Sequence, residues 1–334
     1  MPLQKLASVS AHTNRIWQCT PHPTLPLLAT ASGDKSSRII SLLTYNTLST
    51  IDGGHKRSIR SVAWKPNTRG ESVLASGSFD ATAGIWRRYE DDSGAATGEE
   101  YNDEEDEEWR FAVVLDGHES EIKSVAWSAG GSFLPLARET RRRSFCSASY
   151  DDTIRLYRED LDDWVCCTLL EGHESTVWCI TFEPLTTPNY DAKRGARLAH
   201  CKSNSPRPVL PSRCSAVHRP PVLRPPHSAP PASISAQSCH RTGRIASCGG
   251  DGKIVLYEED KTSAPGAMEV DGDAKAEQGS KAWKIVAELK GAHGVYEINN
   301  VAWSKRYDKD KRGEDDEIIV SVGDDGNVNI WAVE

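Results

Sequence analysis

The chain has 334 residues, which is enough for one large repeat domain or two ordinary domains. It contains 10 Trp against 5 Phe and 2 Met, a bias that suits one Trp in each repeat better than a generic aliphatic core. The net charge of −8 comes largely from residues 90–108, which hold 11 of the 48 acidic side chains and no Lys or Arg. The rest is near neutral, so the chain lacks the basic stripe on a folded segment that is typical of nucleic-acid binders.

Neither a membrane helix nor a secretory signal is expected from the sequence. No apolar run approaches the roughly 18 residues of a membrane helix. Residues 1–11 lack a charged start followed by a long apolar region. The nine Cys show no CxxC spacing, and several lie within predicted strands, which favours reduced thiols in the cytosol or nucleus.

In chain order, two short patterns alternate. The first is a dipeptide ending in His that is followed by a short apolar strand, and it occurs at Ala11-His12, Gly54-His55, Gly117-His118, Gly172-His173 and Ala292-His293. The second is a small-residue strand, a turn with Asp and an alternating strand, and it occurs at residues 30–40, 76–86, 147–157, 247–257 and 321–331. An Asp stands at the same offset in each copy: Asp34, Asp80, Asp151, Asp251 and Asp325.

A WD40 β-propeller repeats one period along the chain: strand, tight turn, strand, turn, strand, Gly-His and strand. The sequence therefore predicts an all-β fold, with residues 1–334 forming a single propeller. Ring closure is predicted from Leu3–Val9, which can supply the outer strand that the last repeat lacks. Pairing the two termini would remove open sheet edges.

About five full sets of four strands are visible, and two of them are hybrids across breaks in the pattern. One hybrid would join Lys123–Trp127 to the strands between Ser144 and Leu170. The other would join Thr176–Phe182 to Arg244–Tyr257 and Trp283–Leu289.

Three segments do not follow the repeat. Residues 90–108 are predicted to be a solvated acidic loop, with a docking tail for a basic partner as the alternative. Residues 259–281 are predicted to be a second flexible loop. Residues 192–242 are predicted to be a Pro-rich insertion outside the repeats, because nine Pro lie within 206–231 and Pro is excluded from central strands. Translated intron or frame-shifted exon is the alternative origin of that stretch.

The WD40 pattern implies a buried hydrogen-bond chain of His, Ser or Thr, Asp and Trp in a blade. The predicted sets are His55, Ser76, Asp80 and Trp86 in the second repeat, and His293, Ser321, Asp325 and Trp331 in the last. A catalytic triad occurs once in a chain, whereas these sets recur, so we interpret them as structural. No catalytic residue and no metal ligand is predicted. The adjacent Cys166 and Cys167 are expected to be buried strand thiols on opposite faces, which cannot share one metal ion without distortion.

Three stretches carry a more specific resemblance: residues 148–160 (ASYDDTIRLYRED), 162–167 (DDWVCC) and 170–178 (LEGHESTVW). Residues 75–86, 115–127 and 245–251 add to it. The chain closely resembles the WD40 subunit of the cytosolic iron–sulfur protein assembly (CIA) machinery, and its insertions resemble those of fungal members.

The resemblance implies a seven-bladed scaffold without catalysis or cofactor, in the cytosol and with the nucleus as a second compartment. Its implied partners are a small subunit and a large helical-repeat adaptor of the targeting complex, a hydrogenase-like cluster carrier, and apo iron–sulfur proteins. No membrane, nucleic-acid or small-molecule partner is expected. A WD40 adaptor of another complex, in chromatin or in a ubiquitin ligase, is the alternative.

Residues beside the turn Asp and shortly after the His are predicted to lie on one rim of the ring. Exposed aromatic and Arg side chains are typical binding hot spots. The candidates for partner binding are Arg60, Phe79, Lys123, Tyr150, Trp178 and Tyr296. Phe79 and Tyr150 can equally be blade-packing residues.

Overall fold

The computed structural model describes residues 3–66, 68, 70–89, 109–128, 144–160, 163–182, 198–202, 234–238, 244–259, 283–313 and 315–333. Within these residues no helix is long and apolar enough to cross a membrane. The described strands are β1 (Leu3–Ser10), β2 (Ile16–Pro21), β3 (Leu27–Ser32), β4 (Ser37–Ser41), β5 (Thr47–Ile51), β6 (Ile59–Trp64), β7 (Glu71–Ser78), β8 (Ala83–Tyr89), β9 (Arg110–Leu115), β10 (Ile122–Trp127), β11 (Ser144–Ser149), β12 (Ile154–Asp160), β13 (Asp163–Leu170), β14 (Val177–Phe182), β15 (Leu198–Lys202), β16 (Ile234–Ser238), β17 (Ile245–Gly249), β18 (Lys253–Glu259), β19 (Trp283–Lys290), β20 (Ile298–Lys305), β21 (Glu317–Gly323) and β22 (Asn327–Val333).

These strands form six antiparallel sheets, because consecutive strands are joined by connections that return the chain beside itself. Sheet I is β2-β3-β4-β5, sheet II is β6-β7-β8-β9, and sheet III is β10-β11-β12-β13. Sheet IV is the pair β14-β15, sheet V is β16-β17-β18-β19, and sheet VI is β20-β21-β22-β1. Five of the sheets described here therefore have four strands, and one has two.

The core lies between sheets that follow one another in the chain. The first strand of sheet I packs against the first strands of sheets II and VI, and the first strand of sheet III packs against those of sheets II and IV. Apolar clusters fill the spaces between sheets VI and I, I and II, II and III, III and IV, and V and VI. The second strands β3, β7 and β21 are almost entirely buried, because each lies between two neighbouring sheets.

The outer strand of sheet VI comes from the amino-terminal segment. β1 pairs antiparallel with β22, from Leu3 opposite Val333 to Ser10 opposite Asn327. The Ser8 hydroxyl also donates a 2.6 Å hydrogen bond to Asn329 Oδ1. The carboxy-terminal hairpin thereby gains a fourth strand, and β1 covers an edge of β22 that would otherwise be open.

The predicted all-β WD40 propeller is confirmed, and sheet III joins the strands on either side of the first break as expected. The second predicted hybrid is wrong. β14 pairs with β15 instead of joining sheet V, whose inner position is taken by β16. The physical reason is proximity along the chain. β15 is nearer in sequence to β14, and β16 is nearer to β17, than β14 is to β17. A short loop costs less entropy to close than a long one.

The three segments outside the repeat fall largely beyond the described residues. Residues 90–108, residues 260–281 and the Pro-rich residues 206–231 all lie there. Two strands, β15 and β16, lie inside the range 192–242 that was predicted to be a non-repeat insertion. That prediction was wrong for these two strands, which carry short apolar or β-branched alternation and no Pro.

Candidate partner-binding surface

Two predicted polar sets are assembled inside sheets II and VI. His55 Nε2 lies 2.7 Å from Ser76 Oγ, and its Nδ1 lies 3.2 Å from Asp80 Oδ2. The Trp86 indole N–H donates a 2.9 Å hydrogen bond to Ser76 Oγ. In sheet VI the matching distances are 2.9 Å from His293 to Ser321, 2.8 Å from His293 to Asp325, and 2.9 Å from Trp331 to Ser321.

The same His–Asp contact recurs in sheets I and III, where His12 meets Asp34 at 2.9 Å and His118 meets Asp151 at 2.7 Å. A neutral His satisfies every partner if Nδ1–H donates to the Asp and Nε2 accepts from the hydroxyl. Burial raises the pKa of the Asp80 carboxyl, but hydrogen bonds from His55 and neighbouring groups outweigh burial and hold it well below its usual range. Burial lowers the pKa of His118, and Asp151 only partly opposes this. The first effect favours the ionised form of Asp80, and the second favours the neutral form of His118.

A β-bulge at the start of the first strand places one extra residue at the same position in five sheets. The register shifts between Ile16 and Gln18, between Ile59 and Ser61, and at the matching places in β10, β14 and β20. The residues left over are Trp17, Arg60, Lys123, Trp178 and Asn299. A bulge re-aims a side chain out of the regular ladder, so neighbouring sheets present these residues side by side.

Aromatic rings and cations alternate across this surface. The Arg60 guanidinium lies 5.0 Å from the centre of the Trp17 ring, and the Trp17 and Phe79 ring centres are 5.9 Å apart. Lys123 Nζ lies 4.6 Å from the ring of Phe79, 5.3 Å from that of Tyr150 and 5.2 Å from that of Trp178. These are distances for cation–π attraction. We call the surface formed by Trp17, Arg60, Phe79, Lys123, Tyr150 and Trp178 the rim surface.

The rim surface contains hydrogen-bond donors without acceptors. Among the described residues, Arg60 makes no hydrogen bond or ion pair, and burial lowers the pKa of its guanidinium to about 10. The buried Trp17 indole N–H likewise has no acceptor in the described part of the chain. Arg60 is only half-buried, so its guanidinium can meet an incoming acceptor such as a carboxylate.

Charged groups beside Phe79 extend the surface toward a cleft. Glu121 accepts hydrogen bonds from Lys123 at 2.6 Å and from Arg57 at 3.1 Å. Burial raises the pKa of Glu121, but these two cations outweigh it, so the net shift is downward. A cleft of about 420 Å³ opens here and is lined by Lys56, Arg57, Phe79, Asp80, Ala81, Glu119, Ser120 and Glu121.

The structure brings five of the six predicted rim candidates together and leaves the sixth apart. Tyr150 and Trp178 have 55% and 43% of their surface exposed, whereas Lys123 is buried beneath the rings that it contacts. Tyr296 is 51% exposed in the connection before β20, and among the described residues it makes no ring contact with the rim surface. Sequence reasoning missed Trp17, although it has the same offset after a buried Ile as Arg60 and Lys123.

The expectation of buried thiols at Cys166 and Cys167 was wrong, because both side chains are exposed on β13. β13 is the outer strand of sheet III, and among the described strands only β12 pairs with it. No group of three or more His, Cys, Asp or Glu able to hold a metal ion occurs in the described parts of the chain.

Comparison with known proteins gives two kinds of match. The family description "WD domain, G-beta repeat" matches residues 3–41, 46–87 and 109–158. A protein of Emericella nidulans named "Probable cytosolic iron-sulfur protein assembly protein 1" is 38% identical over 419 aligned residues, covering 96% of this chain and 93% of the relative. Proteins with the same name in Aspergillus terreus and Aspergillus niger are 38% and 36% identical, over 96% and 95% of this chain and 95% and 92% of the relatives.

These matches confirm the resemblance to fungal CIA proteins that residues 148–178 carry. They extend over almost the whole chain, beyond the repeats that the family description covers. Together with the WD-repeat sheets, they establish that the chain belongs to the family of the cytosolic iron-sulfur protein assembly protein 1.

Proposed function

We propose that this chain is a non-catalytic scaffold of the cytosolic iron–sulfur protein assembly machinery. It bridges a hydrogenase-like cluster carrier and the apoproteins that receive clusters, beside a small subunit and a large helical-repeat adaptor of the targeting complex. The names of its relatives support a place in this machinery and in the cytosol. We extend the proposal to the nucleus, where iron–sulfur apoproteins also occur.

The recurring polar sets support a role without catalysis. The hydroxyls of Ser76, Ser147 and Ser321 lie beside His and Asp, but these three residues have no exposed surface. A nucleophile must reach its substrate, and a fully buried hydroxyl on a central strand cannot. The groups that resemble a catalytic triad therefore stabilise the interior of the sheets by hydrogen bonding to one another. The exposed rim surface is the part that can bind a partner.

The observation that carries the proposal is the continuous rim surface built from the bulges of neighbouring first strands. Its exposed rings offer apolar area, and Arg60 offers a cation that makes no hydrogen bond or ion pair among the described residues. The surface therefore suits a partner segment that presents carboxylate and apolar side chains together. Because it crosses four sheets, it can contact an extended segment at several points.

The test is affinity capture of the full chain from cytosol, read by mass spectrometry, with two matched tyrosine variants. Tyr150→Ala removes a ring of the rim surface, whereas Tyr89→Ala removes an equally exposed ring at the end of β8. We expect the wild type and Tyr89→Ala to recover the CIA subunits and the carrier. We expect Tyr150→Ala to recover about tenfold less of at least one of them, as for an interface hot spot.

The outcomes separate the function from the surface. Recovery of an unrelated chromatin or ubiquitin-ligase complex by all three proteins would overturn the proposed function. Equal recovery of the CIA subunits and the carrier by all three would leave the function standing and contradict the rim surface. Activity of a cytosolic iron–sulfur enzyme in cells that contain only the variant gives a second measurement, and the fall should again be specific to Tyr150→Ala.

A further inference from the structure

Two adjacent thiols stand out in the chemistry of the described residues. Cys166 and Cys167 are exposed, whereas Cys19, Cys146 and Cys248 are buried. Burial raises the pKa of the Cys19 and Cys146 thiols, which keeps them protonated as well as inaccessible. A thiophilic ion in solution therefore meets the exposed pair on β13 before the buried thiols.

A bulge in β13 removes the alternation that would separate the two side chains. Leu156 on β12 is opposite Thr168, and Tyr157 is opposite Cys166, so Cys167 is the extra residue. In a regular strand, neighbours point to opposite faces, but at a bulge two residues oppose one. Both side chains are exposed on this outer strand, although they are consecutive.

The two sulfur atoms also approach the same cross-strand pair. Cys167 Sγ lies 3.4 Å from the carbonyl oxygen of Leu156, and Cys166 Sγ lies 3.8 Å from that of Thr168. Leu156 and Thr168 are opposite each other in the ladder, where paired Cα atoms are about 5 Å apart. The thiols are weak donors, so giving up these contacts costs little when sulfur takes another partner.

We propose that Cys166 and Cys167 form a two-sulfur site that binds one monovalent copper ion. Soft thiolates select soft ions, and zinc needs four ligands in a structural site. No third His, Cys, Asp or Glu joins these two to make a metal-binding group within the described residues, which favours an ion that accepts two sulfurs. On binding, each S–H bond is replaced by an S–Cu bond, two protons pass to the solvent, and copper stays monovalent.

The test uses the full chain with Cys201, Cys214 and Cys239 changed to Ser, so that these three thiols do not compete. Copper(I) is supplied without oxygen in competition with bicinchoninate, and its Kd and stoichiometry are measured. We expect one ion per chain and two sulfur neighbours in X-ray absorption. Cys166→Ser and Cys167→Ser should each raise Kd about tenfold or more, because each removes one of two ligands.

Cys179→Ser is the matched control, since it removes a half-buried thiol from an inner strand, and its Kd should equal that of the parent. Circular dichroism and urea unfolding check that every variant remains folded. The proposal is overturned if neither serine variant changes Kd, if only one does, or if X-ray absorption finds fewer than two sulfur neighbours.

Discussion

At the scale of single residues, two fully buried serines show how pairing decides what a hydroxyl contributes. Ser76 contacts the His55 ring and accepts from Trp86, and it has no exposed surface. Ser37 at the start of β4 is equally buried, but its hydroxyl has no partner among the described residues. Removing a paired group leaves its partners unsatisfied, whereas removing an unpaired group relieves a cost.

This contrast predicts opposite results for the same substitution. Ser76→Ala should lower the free energy of unfolding by about 2 kcal/mol, because His55 and Trp86 lose their shared partner in a buried site. Ser37→Ala should leave the free energy of unfolding unchanged or raise it slightly. Urea unfolding followed by tryptophan fluorescence measures both. Equal losses in the two variants would contradict a stabilising role for the polar set.

The turn carboxyls predict a loss of stability in acid. The pKa of Asp80 is lower in the folded chain than the value of about 3.9 in an unfolded one, so the unfolded chain binds more protons as the pH falls. The stabilisation is therefore complete above about pH 5 and is lost as the pH falls through about 4 toward the folded pKa.

Asp80→Asn should lower the free energy of unfolding at about pH 7. Between about pH 7 and about pH 3 that free energy should then fall less than in the wild type, because one titrating group is gone. The urea midpoint at the two pH values measures this. Asp52→Asn is the control, since it removes a carboxyl at an exposed position outside the polar sets. An unchanged pH dependence in Asp80→Asn would assign the acid effect to other groups.

At the scale of elements, a charge cluster joins sheets II and III. Lys65, which follows β6, is 3% exposed and donates to Glu159 on β12 at 3.2 Å. Arg87 on β8 donates to the same carboxylate. Burial raises the pKa of Glu159, but Lys65 and Arg87 outweigh it, so the net shift is downward. The Glu159 carboxylate thus binds two cations from the neighbouring sheet. Loss of Glu159 affects both cations, whereas loss of Lys65 leaves Glu159 paired with Arg87.

Glu159→Gln should therefore cost more than Lys65→Met. The first change removes the negative charge that both Lys65 and Arg87 contact, for a loss of about 3 kcal/mol. The second leaves Glu159 paired with Arg87 and replaces the lysine, whose Nζ lies 5.6 Å from the centre of the Trp127 ring, with an apolar chain of similar length. Urea unfolding gives both losses. A larger loss in Lys65→Met would mean that the ammonium itself stabilises the interface.

At the scale of the whole molecule, the repeat motif determined what could be predicted. The strands between Ser144 and Leu170 were placed correctly, because the turn Asp between them marks a hairpin that repeats along the chain. The Gly-His before β14 marked that strand but did not identify its partner. β15 and β16 carry neither motif, so their pairing depends on chain proximity, which a local pattern does not express. The bulges at Trp17 and Cys167 also escaped prediction, because a bulge arises from the register between two strands.

The position of β1 leads to a prediction about how the two ends of the chain are joined in sheet VI. Leu3 is the cross-strand partner of Val333, so a short linker can join the two ends of the chain without moving β1 from β22. A circular permutant with joined ends that opens within residues 90–108, between β8 and β9, should unfold in urea with the midpoint of the wild type. Deletion of residues 1–10 should instead expose the edge of β22 and lead to self-association, measured by size-exclusion chromatography. If the deletion variant remains monomeric and equally stable, β1 is dispensable for closing the propeller.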